Sequence, residues 1–578
     1  MTGHLDGGGD RPPDRLSTPL ERRADLTCLA LLGIVWLLII VAVNPIGDFP
    51  LNDDWAYASA VRTLVETGEF RLSGWTAANF IAQLLWGALF CLPFGFSFTA
   101  LRLSTLLLSF IGIAAGYGLL REVRARPSVA LFGALTLALG PLYLALSFTF
   151  MTDVPFAATS IASSWLLVRG IRRDRPLTMA AGLGLAFVAI LIRQTGLALP
   201  IAFAVAYVTK HGLRPRPLTV AVAAIAAGLA VQFGYQLWLH WLDRVPLRFG
   251  NQILTIKAQL ALPWKSIAAD AATILFVSLV YLGAFLLPFL SVFFLRYWRV
   301  RPRMSFLGLA ALTIAVTAVL RLHHWLMPLH GNVLTKSGIA FDAASMPYRY
   351  WALITLAGVF GALLLVVALI CGVYFFLSAP SRGNAQKHRA ELAFALTAIG
   401  TSFAPMMLCG LGAFGFYDRY LIIFVPWLML LLICLLPDFS LGRGKLVAVV
   451  GIVTILPMGL FSMVVTHDYM AVNRVRWTAL DDVMRRYNVG PDRIDGGFEF
   501  NGWYLYDDDY VVKPSKSWWW VDRDDFVLQF SSVRNGYERL AEYPVRWWAP
   551  WGKGSIIVQR RLVPADGRWK AEISAKRP

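Results

Sequence analysis

The chain has 578 residues, 57% of them hydrophobic and only 15% charged, with a net charge of +18 and a mean hydropathy of +0.59. Soluble domains carry about 25% charged residues, so this balance excludes a soluble globular protein and points to a polytopic membrane protein. The positive charge invites a nucleic-acid reading, but it gathers in short loops between apolar runs, as cytoplasmic loops do, and nucleic acid is not an expected partner.

In chain order, the Gly-, Pro- and Asp-rich residues 1–25 read as a disordered cytoplasmic tail without a cleaved signal. The first span covers about Leu26–Val43, and Asp53-Asp54 follows it in a loop. Asp54 to Glu66 reads as a short amphipathic surface helix capped by Asn52 or Asp53. The stretch Phe80–Phe96 is apolar but is broken by Pro93 and Gly95 and carries Asn79, Gln83 and Trp86 close by or within it. It is therefore expected to be re-entrant or interfacial. If it does not cross, the basic loops Arg121–Arg126, Arg169–Arg175, Lys210–Arg216, Arg296–Arg303, Arg382–Arg389 and Arg443–Lys445 all fall inside, and Asp53 and Asp153 share the outer face.

Further spans are expected at about Leu101–Leu120, 127–147, 154–169, 177–192, 196–209, 218–240, 266–295, 305–320, 351–377, 392–410, 421–437 and 446–465. With the first, that gives about 13 crossings, the N-terminus inside and the C-terminus outside. Residues 26–465 thus form a transmembrane module. From about His467 the apolar runs stop, and 466–578 read as a small extracytoplasmic α+β domain. A helix over Asn473–Tyr487 and strands at Tyr510–Val512 and Ser555–Gln559 are expected there. The fold class is mainly α, a transmembrane bundle with a small α+β C-terminal domain.

Five constellations carry chemistry. Asp53-Asp54 offers a general base on the outer loop, since one Asp suffices to cap a helix. Asp153, next to Val154-Pro155, is either a second acidic group on that face or an N-cap. Arg193, in the polar break Ile192-Arg193-Gln194-Thr195-Gly196, could hold an anion or snorkel to the membrane edge. In Tyr417-Asp418-Arg419-Tyr420, Arg419 is a phosphate-ligand candidate and Asp418 its possible ion-pair partner. The loop Arg321–Arg349 brings His323, His324, His330 and Lys336 but completes no HExxH pattern, and no metal is expected. Nor is there a P-loop, a GxGxxG after a strand or a GxSxG, so no cofactor is expected. Cys28, Cys91, Cys371, Cys409 and Cys434 lie in apolar runs and read as buried small hydrophobes. Trp503, Trp518-Trp519-Trp520, Trp547-Trp548 and Trp551 read as interface and core residues.

Taken in order, Asp53-Asp54-Trp55-Ala56-Tyr57-Ala58, Arg102-Leu103, the Arg121 loop, Thr152-Asp153-Val154-Pro155, Arg193-Gln194-Thr195-Gly196 and Arg419-Tyr420 before Pro426 resemble the polytopic GT-C glycosyltransferases, in their protein-mannosyltransferase and aminoarabinose-transferase branch. The resemblance implies an inverting glycosyltransferase in a membrane, with the bacterial inner membrane as its expected place. It would use a polyprenyl-monophosphate sugar donor and a lipid, glycan or protein acceptor. It implies Asp53 as the acceptor-activating base supported by Asp54, Asp153 positioning the acceptor, and Arg419 holding the donor phosphate. Arg193, Lys336 and Arg349 are further phosphate candidates, and Tyr57, Tyr420 and Asp418 are substrate-positioning candidates. Relatives often carry Lys-Pro before the re-entrant helix, where this chain has Thr76-Ala77-Ala78-Asn79. Either Arg71, Lys336 or Arg349 substitutes, or the donor is held differently. A transporter or lipid flippase, and a non-catalytic assembly scaffold, are the alternative readings.

Overall fold

The computed structural model describes residues 19–123, 125–298, 304–339, 345–377, 388–412, 416–436, 445–511 and 520–562. The expected tail through residue 18, most of the basic loops at 296–303, 382–389 and 443–445, Val512, Trp518 and Trp519 lie outside the described residues.

The chain opens with α1 (Pro19–Val43), α2 (Asp54–Thr67), α3 (Ile81–Cys91) and α4 (Phe98–Glu122). At 11 residues, α3 rises roughly 16 Å, about half of a hydrocarbon core, so the expected re-entrant or interfacial character of this stretch agrees with its length. Pro127 and Pro141 stand in the first turns of α5 (Pro127–Ala138) and α6 (Pro141–Ser147), where a missing N–H costs nothing. The predicted span 127–147 is therefore a pair of helices bent by 65° rather than one straight rod.

There follow α7 (Asp153–Arg173), α8 (Pro176–Ile192), α9 (Ala198–His211) and α10 (Pro215–Trp241), then the short α11 (Leu247–Gly250) and α12 (Gln252–Leu260). The bundle is completed by α13 (Trp264–Trp298), α14 (Met304–Leu322), α15 (Tyr348–Leu377), α16 (Arg389–Gly410) and α17 (Phe424–Leu435), the last entered by a 3-10 turn over Asp418–Ile423. Among the described residues nine helices are long and apolar enough to cross a membrane, ten if α5 and α6 form one bent span. The other three of the 13 expected crossings are α8, α9 and α14, and α8 and α9 have only 17 and 14 residues. The protein is an integral membrane protein. Close helix packing uses glycines: a Cβ on Gly283 of α13 would lie 2.2 Å from the Ala362 amide of α15, the small-residue contact that membrane helices favour.

The helix expected over Asn473–Tyr487 is not separate. A single 43-residue helix, α18 (Lys445–Tyr487), runs from the bundle into the C-terminal region. No Gly or Pro occurs after Gly459, so the polarity changes without any residue that would end the helix. Beyond it α19 (Phe498–Leu505) packs beside a four-stranded sheet in the order β1-β2-β4-β3. Its strands are β1 (Ile494–Asp495), β2 (Phe526–Phe530), β3 (Tyr537–Pro544) and β4 (Ser555–Arg561). β1 pairs parallel with β2, and β4 pairs antiparallel with both neighbours. The Ser555–Gln559 strand is found, whereas Tyr510 and Val511 are not in a strand. Trp520 packs with Trp55, Trp75, Phe498 and Tyr506, joining the C-terminal region to the loops of the bundle. Cys28, Cys91 and Cys434 are buried as expected, but Cys371 is only half-buried and Cys409, on α16, is exposed.

Candidate active site

The loop after α1 is held by Arg102 of α4. Its guanidinium donates to the carbonyls of Pro45 at 3.1 Å, Gly47 at 2.5 Å and Phe49, and the side chain is 1% exposed. Asn52 then takes a left-handed conformation, φ 56°, which asparagine tolerates better than most residues, and its Oδ1 accepts the Asp53 amide at 2.9 Å. This turn sends two adjacent carboxylates in different directions. Asp54 points inward, fully buried, and accepts the amides of Leu51 at 2.6 Å and Phe150 at 3.1 Å. Burial pushes its pKa up to about 7, against the pull of Arg102. Asp53 makes no side-chain cap of α2. One of its oxygens accepts the indole N–H of Trp75 at 2.9 Å, and the other faces Arg419 at 3.4 Å.

Asp153 begins α7 and is 3% exposed. Its Oδ1 meets Arg193 at 2.8 Å and Arg419 at 3.8 Å, while its buried Oδ2 has no hydrogen-bond partner. Arg193 sits in extended backbone between α8 and the 3-10 turn Gln194–Leu197. That break is fixed by the loop before α3. Phe80 donates its amide to Ile192 at 3.0 Å, and the Asn79 amide nitrogen donates to the carbonyl of Ile190 and to Gln232. Arg193 lies 5.1 Å above the Tyr420 ring, and Arg419 lies 4.9 Å from that of Tyr417.

These groups share one cavity of about 1220 Å³. Asp53, Tyr57, Asp153, Arg193, Arg419 and Tyr420 all line it. The Tyr57 hydroxyl, buried and near Asp53, has its pKa pushed up to about 12 and so stays a neutral donor. Asp418 is fully buried but turns away. Its carboxylate accepts the amides of Val333, Leu334 and Arg419, so it anchors a neighbouring loop, and Arg419 pairs with Asp53 and Asp153 instead. Lys336 and Arg349 are exposed and do not line the cavity, nor does Arg71. His323, His324 and His330 are exposed as well, and among the described residues no three His, Cys, Asp or Glu side chains gather closely enough to hold a metal ion.

The residue that sequence reasoning missed is Arg248 of α11. It lines the cavity with its guanidinium on the Trp75 ring, and burial lowers its pKa while Asp53 opposes that shift. Its amide donates to the carbonyl of Gly74 at 3.1 Å, so it reaches the segment just before Thr76-Ala77-Ala78-Asn79. The signal was present only as an arginine after a long apolar helix, indistinguishable from a snorkelling residue. Three guanidinium groups, Arg193, Arg248 and Arg419, thus face the two carboxylates Asp53 and Asp153, leaving one positive charge in excess on this side of the cavity. Such a pocket can take up a phosphate dianion and place a carboxylate beside it. The opposite wall comes from the C-terminal region and includes Arg476, Asp495, Phe498 and Glu499.

Residues 81–238 match the family model of dolichyl-phosphate-mannose-protein mannosyltransferases. The match takes in Asp153 and Arg193 but not Asp53, Arg248 or Arg419. Over that stretch the chain is similar to polytopic membrane glycosyltransferases, as its motifs imply. A comparison with curated proteins finds no match. Among solved structures, ArnT from Cupriavidus metallidurans bound to undecaprenyl phosphate superposes with a TM-score of 0.42 at 16% identity, covering 92% of this chain and 97% of that one. The Archaeoglobus fulgidus oligosaccharyltransferase tethered with an acceptor peptide gives a TM-score of 0.44 at 14% identity, over 81% of this chain and 59% of that one.

Proposed function

We propose that the protein is an inverting glycosyltransferase that moves a hexose or pentose from a polyprenyl-monophosphate donor to a lipid, glycan or protein acceptor at the outer membrane face. The observation that carries this reading is the meeting of Asp53, Asp153 and Arg419 in one cavity, with Arg419 within 3.4 Å of the first carboxylate and 3.8 Å of the second. The acceptor hydroxyl or amine gives its proton to Asp53 as its oxygen or nitrogen bonds to the anomeric carbon. The bond from that carbon to the phosphate oxygen breaks, and the electron pair leaves with the lipid phosphate. Arg419, Arg193 and Arg248 neutralise that phosphate. Asp153, with one oxygen unpartnered, orients the acceptor by accepting its hydrogen bond, and Tyr57 and Tyr420 shape the pocket around the sugar. Asp54 supports Asp53 through the backbone by holding its turn. The placement of the basic loops supports a cavity on the outer side of the membrane, and the resemblance supports a bacterial inner membrane.

The test is sugar transfer by purified protein from a panel of radiolabelled polyprenyl-phosphate sugars. Asp53→Asn is expected to lower transfer by roughly 100- to 10,000-fold, the usual worth of a general base, with an unchanged melting profile. Full activity in that variant sinks the role of Asp53, and no turnover of any donor by the wild type sinks the enzyme reading.

A further inference from the structure

Glu499, in the first turn of α19, is 1% exposed and belongs to the wall that the C-terminal region gives the cavity. A buried carboxylate is tolerated only when its oxygens are paired. One oxygen of Glu499 pairs with Arg476 of α18, and the other accepts the backbone amide of Asn52 at 3.3 Å. Asn52 stands 447 positions earlier in the chain and immediately before Asp53. It is also the residue in the left-handed conformation, φ 56°, which a residue other than glycine keeps only when its surroundings impose it. The approach to this turn is held from two sides. Arg102 takes the carbonyls of Pro45, Gly47 and Phe49, and Arg474 of α18 takes those of Val43, Asn44 and Ile46. Within the turn, the Leu51 amide goes to Asp54 and the Asp53 amide to the Asn52 side chain. Glu499 gives the turn a partner from outside, one residue from Asp53.

Glu499 is itself firmly mounted. Asp495 accepts the Gly497 amide at 3.3 Å and the Asn501 side-chain amide at 2.8 Å, and the Asn501 oxygen accepts the Gly496 amide at 3.1 Å. Three residues after Glu499, and so on a neighbouring part of the helix surface, Gly502 meets α2. A Cβ there would lie 2.4 Å from the Trp55 indole, so α19 rests directly on the first turn of α2. We propose that Glu499 is a positioning residue: by receiving the Asn52 amide it fixes the turn that aims the Asp53 carboxylate into the cavity. The inference rests on the transferase reading for what Asp53 does, and it makes the C-terminal region a working part of the site and not only its cover. A reacting group displaced by ~1 Å can cost about 100-fold in rate, so losing the contact beside Asp53 is expected to appear in kcat. Donor binding rests on Arg193, Arg248 and Arg419 and is expected to stay as it is.

Glu499→Gln and Glu499→Leu both take the charge away from Arg476, and they differ in the oxygen that can accept the Asn52 amide. Glu499→Asn keeps the amide chemistry but draws its oxygen back by one methylene, and it replaces the leucine variant should that one fail to fold. Three quantities are read on the full-length proteins in detergent: transfer from the radiolabelled polyprenyl-phosphate sugars, binding of undecaprenyl phosphate, and hydrogen exchange without ligand in peptides covering residues 50–57 and α13. In the leucine and asparagine variants kcat is expected to lie at least about tenfold below that of the glutamine variant, the worth of one hydrogen bond to a buried amide. Donor KM and undecaprenyl phosphate binding are expected to agree within about twofold, and exchange to quicken over 50–57 but not in α13. Equal kcat in the three variants overturns the positioning role. A loss that falls on donor KM or on undecaprenyl phosphate binding overturns it in favour of a binding residue. A lower kcat with equal exchange overturns it in favour of direct contact with the acceptor, and faster exchange in α13 as well reduces Glu499 to a general structural role. No turnover of any donor by the wild type removes the transferase reading and the catalytic role of the turn together, while the exchange contrast still decides whether Glu499 holds that turn.

Discussion

Adjacent aspartates divide the work at the centre of this molecule. Asp53 faces the cavity and Asp54 faces the protein, because a left-handed Asn52 turns the backbone between α1 and α2. The pKa of Asp54, raised from 3.8 to about 7 by burial, has a consequence for stability. A group whose folded pKa lies above its unfolded value favours folding at low pH, and that contribution is lost as pH rises through the folded pKa. The melting temperature of the wild type in detergent is therefore expected to fall between about pH 4 and pH 7 by more than that of Asp54→Asn, which has no proton to lose. Parallel slopes for the two proteins would contradict this. Arg248 makes the second prediction at this scale. Arg248→Ala is expected to raise the donor KM by about tenfold or more, the worth of one charge-assisted hydrogen bond. Arg248→Lys should recover only part of the loss, because an ammonium keeps the charge but not the stacking on Trp75. A donor KM unchanged in the alanine variant would remove Arg248 from the phosphate site.

At the scale of elements, the site depends on segments too short to cross the membrane. The loop before α2, the loop before α3, the break after α8 and the turn before α17 each contribute side chains; buried hydrogen bonds tie the first to α4, the second to α8 and α10, and the last to the loop at Val333-Leu334. The Arg102 anchor is the clearest case, since one guanidinium satisfies three carbonyls of the loop that carries Asp53. Arg102→Ala leaves those carbonyls without a donor and is expected to destabilise the protein by about 3 kcal/mol or more, seen as a lowered melting temperature and poor yield. Arg102→Lys should rescue little, because a single ammonium lacks the planar fork that reaches several carbonyls at once. Wild-type melting in either variant would show that the loop holds its shape without the anchor. α18 offers a different lesson. A helix that begins among apolar residues continues into the C-terminal region, so the change in polarity near His467 is not an end of secondary structure.

For the whole molecule, one face collects the chemistry. Between Asp53 and Asp153 lie α2 to α6, and a shared face for the two would follow if α4 and the bent pair α5–α6 cross the membrane and α3 does not. The distribution of basic loops then predicts orientation. A reporter that is active only outside the cytoplasm should give signal when inserted after residue 536 and none when inserted at residue 212, and the reverse pattern would invert the proposed face of catalysis. The membrane module, the excess of positive loops and the candidacy of Asp53, Asp153, Arg193 and Arg419 were legible in the sequence, because hydropathy, charge bias and short polar breaks act over neighbouring residues. The tertiary structure decided the rest. It turned Asp54 and Asp418 inward onto backbone amides, left Lys336 and Arg349 outside the cavity, brought Arg248 onto Trp75, and paired Arg419 with an aspartate 366 positions earlier in the chain. A sequence shows which residues carry charge, but which charges meet in a low-dielectric pocket depends on long-range packing of helices, and no local period encodes that.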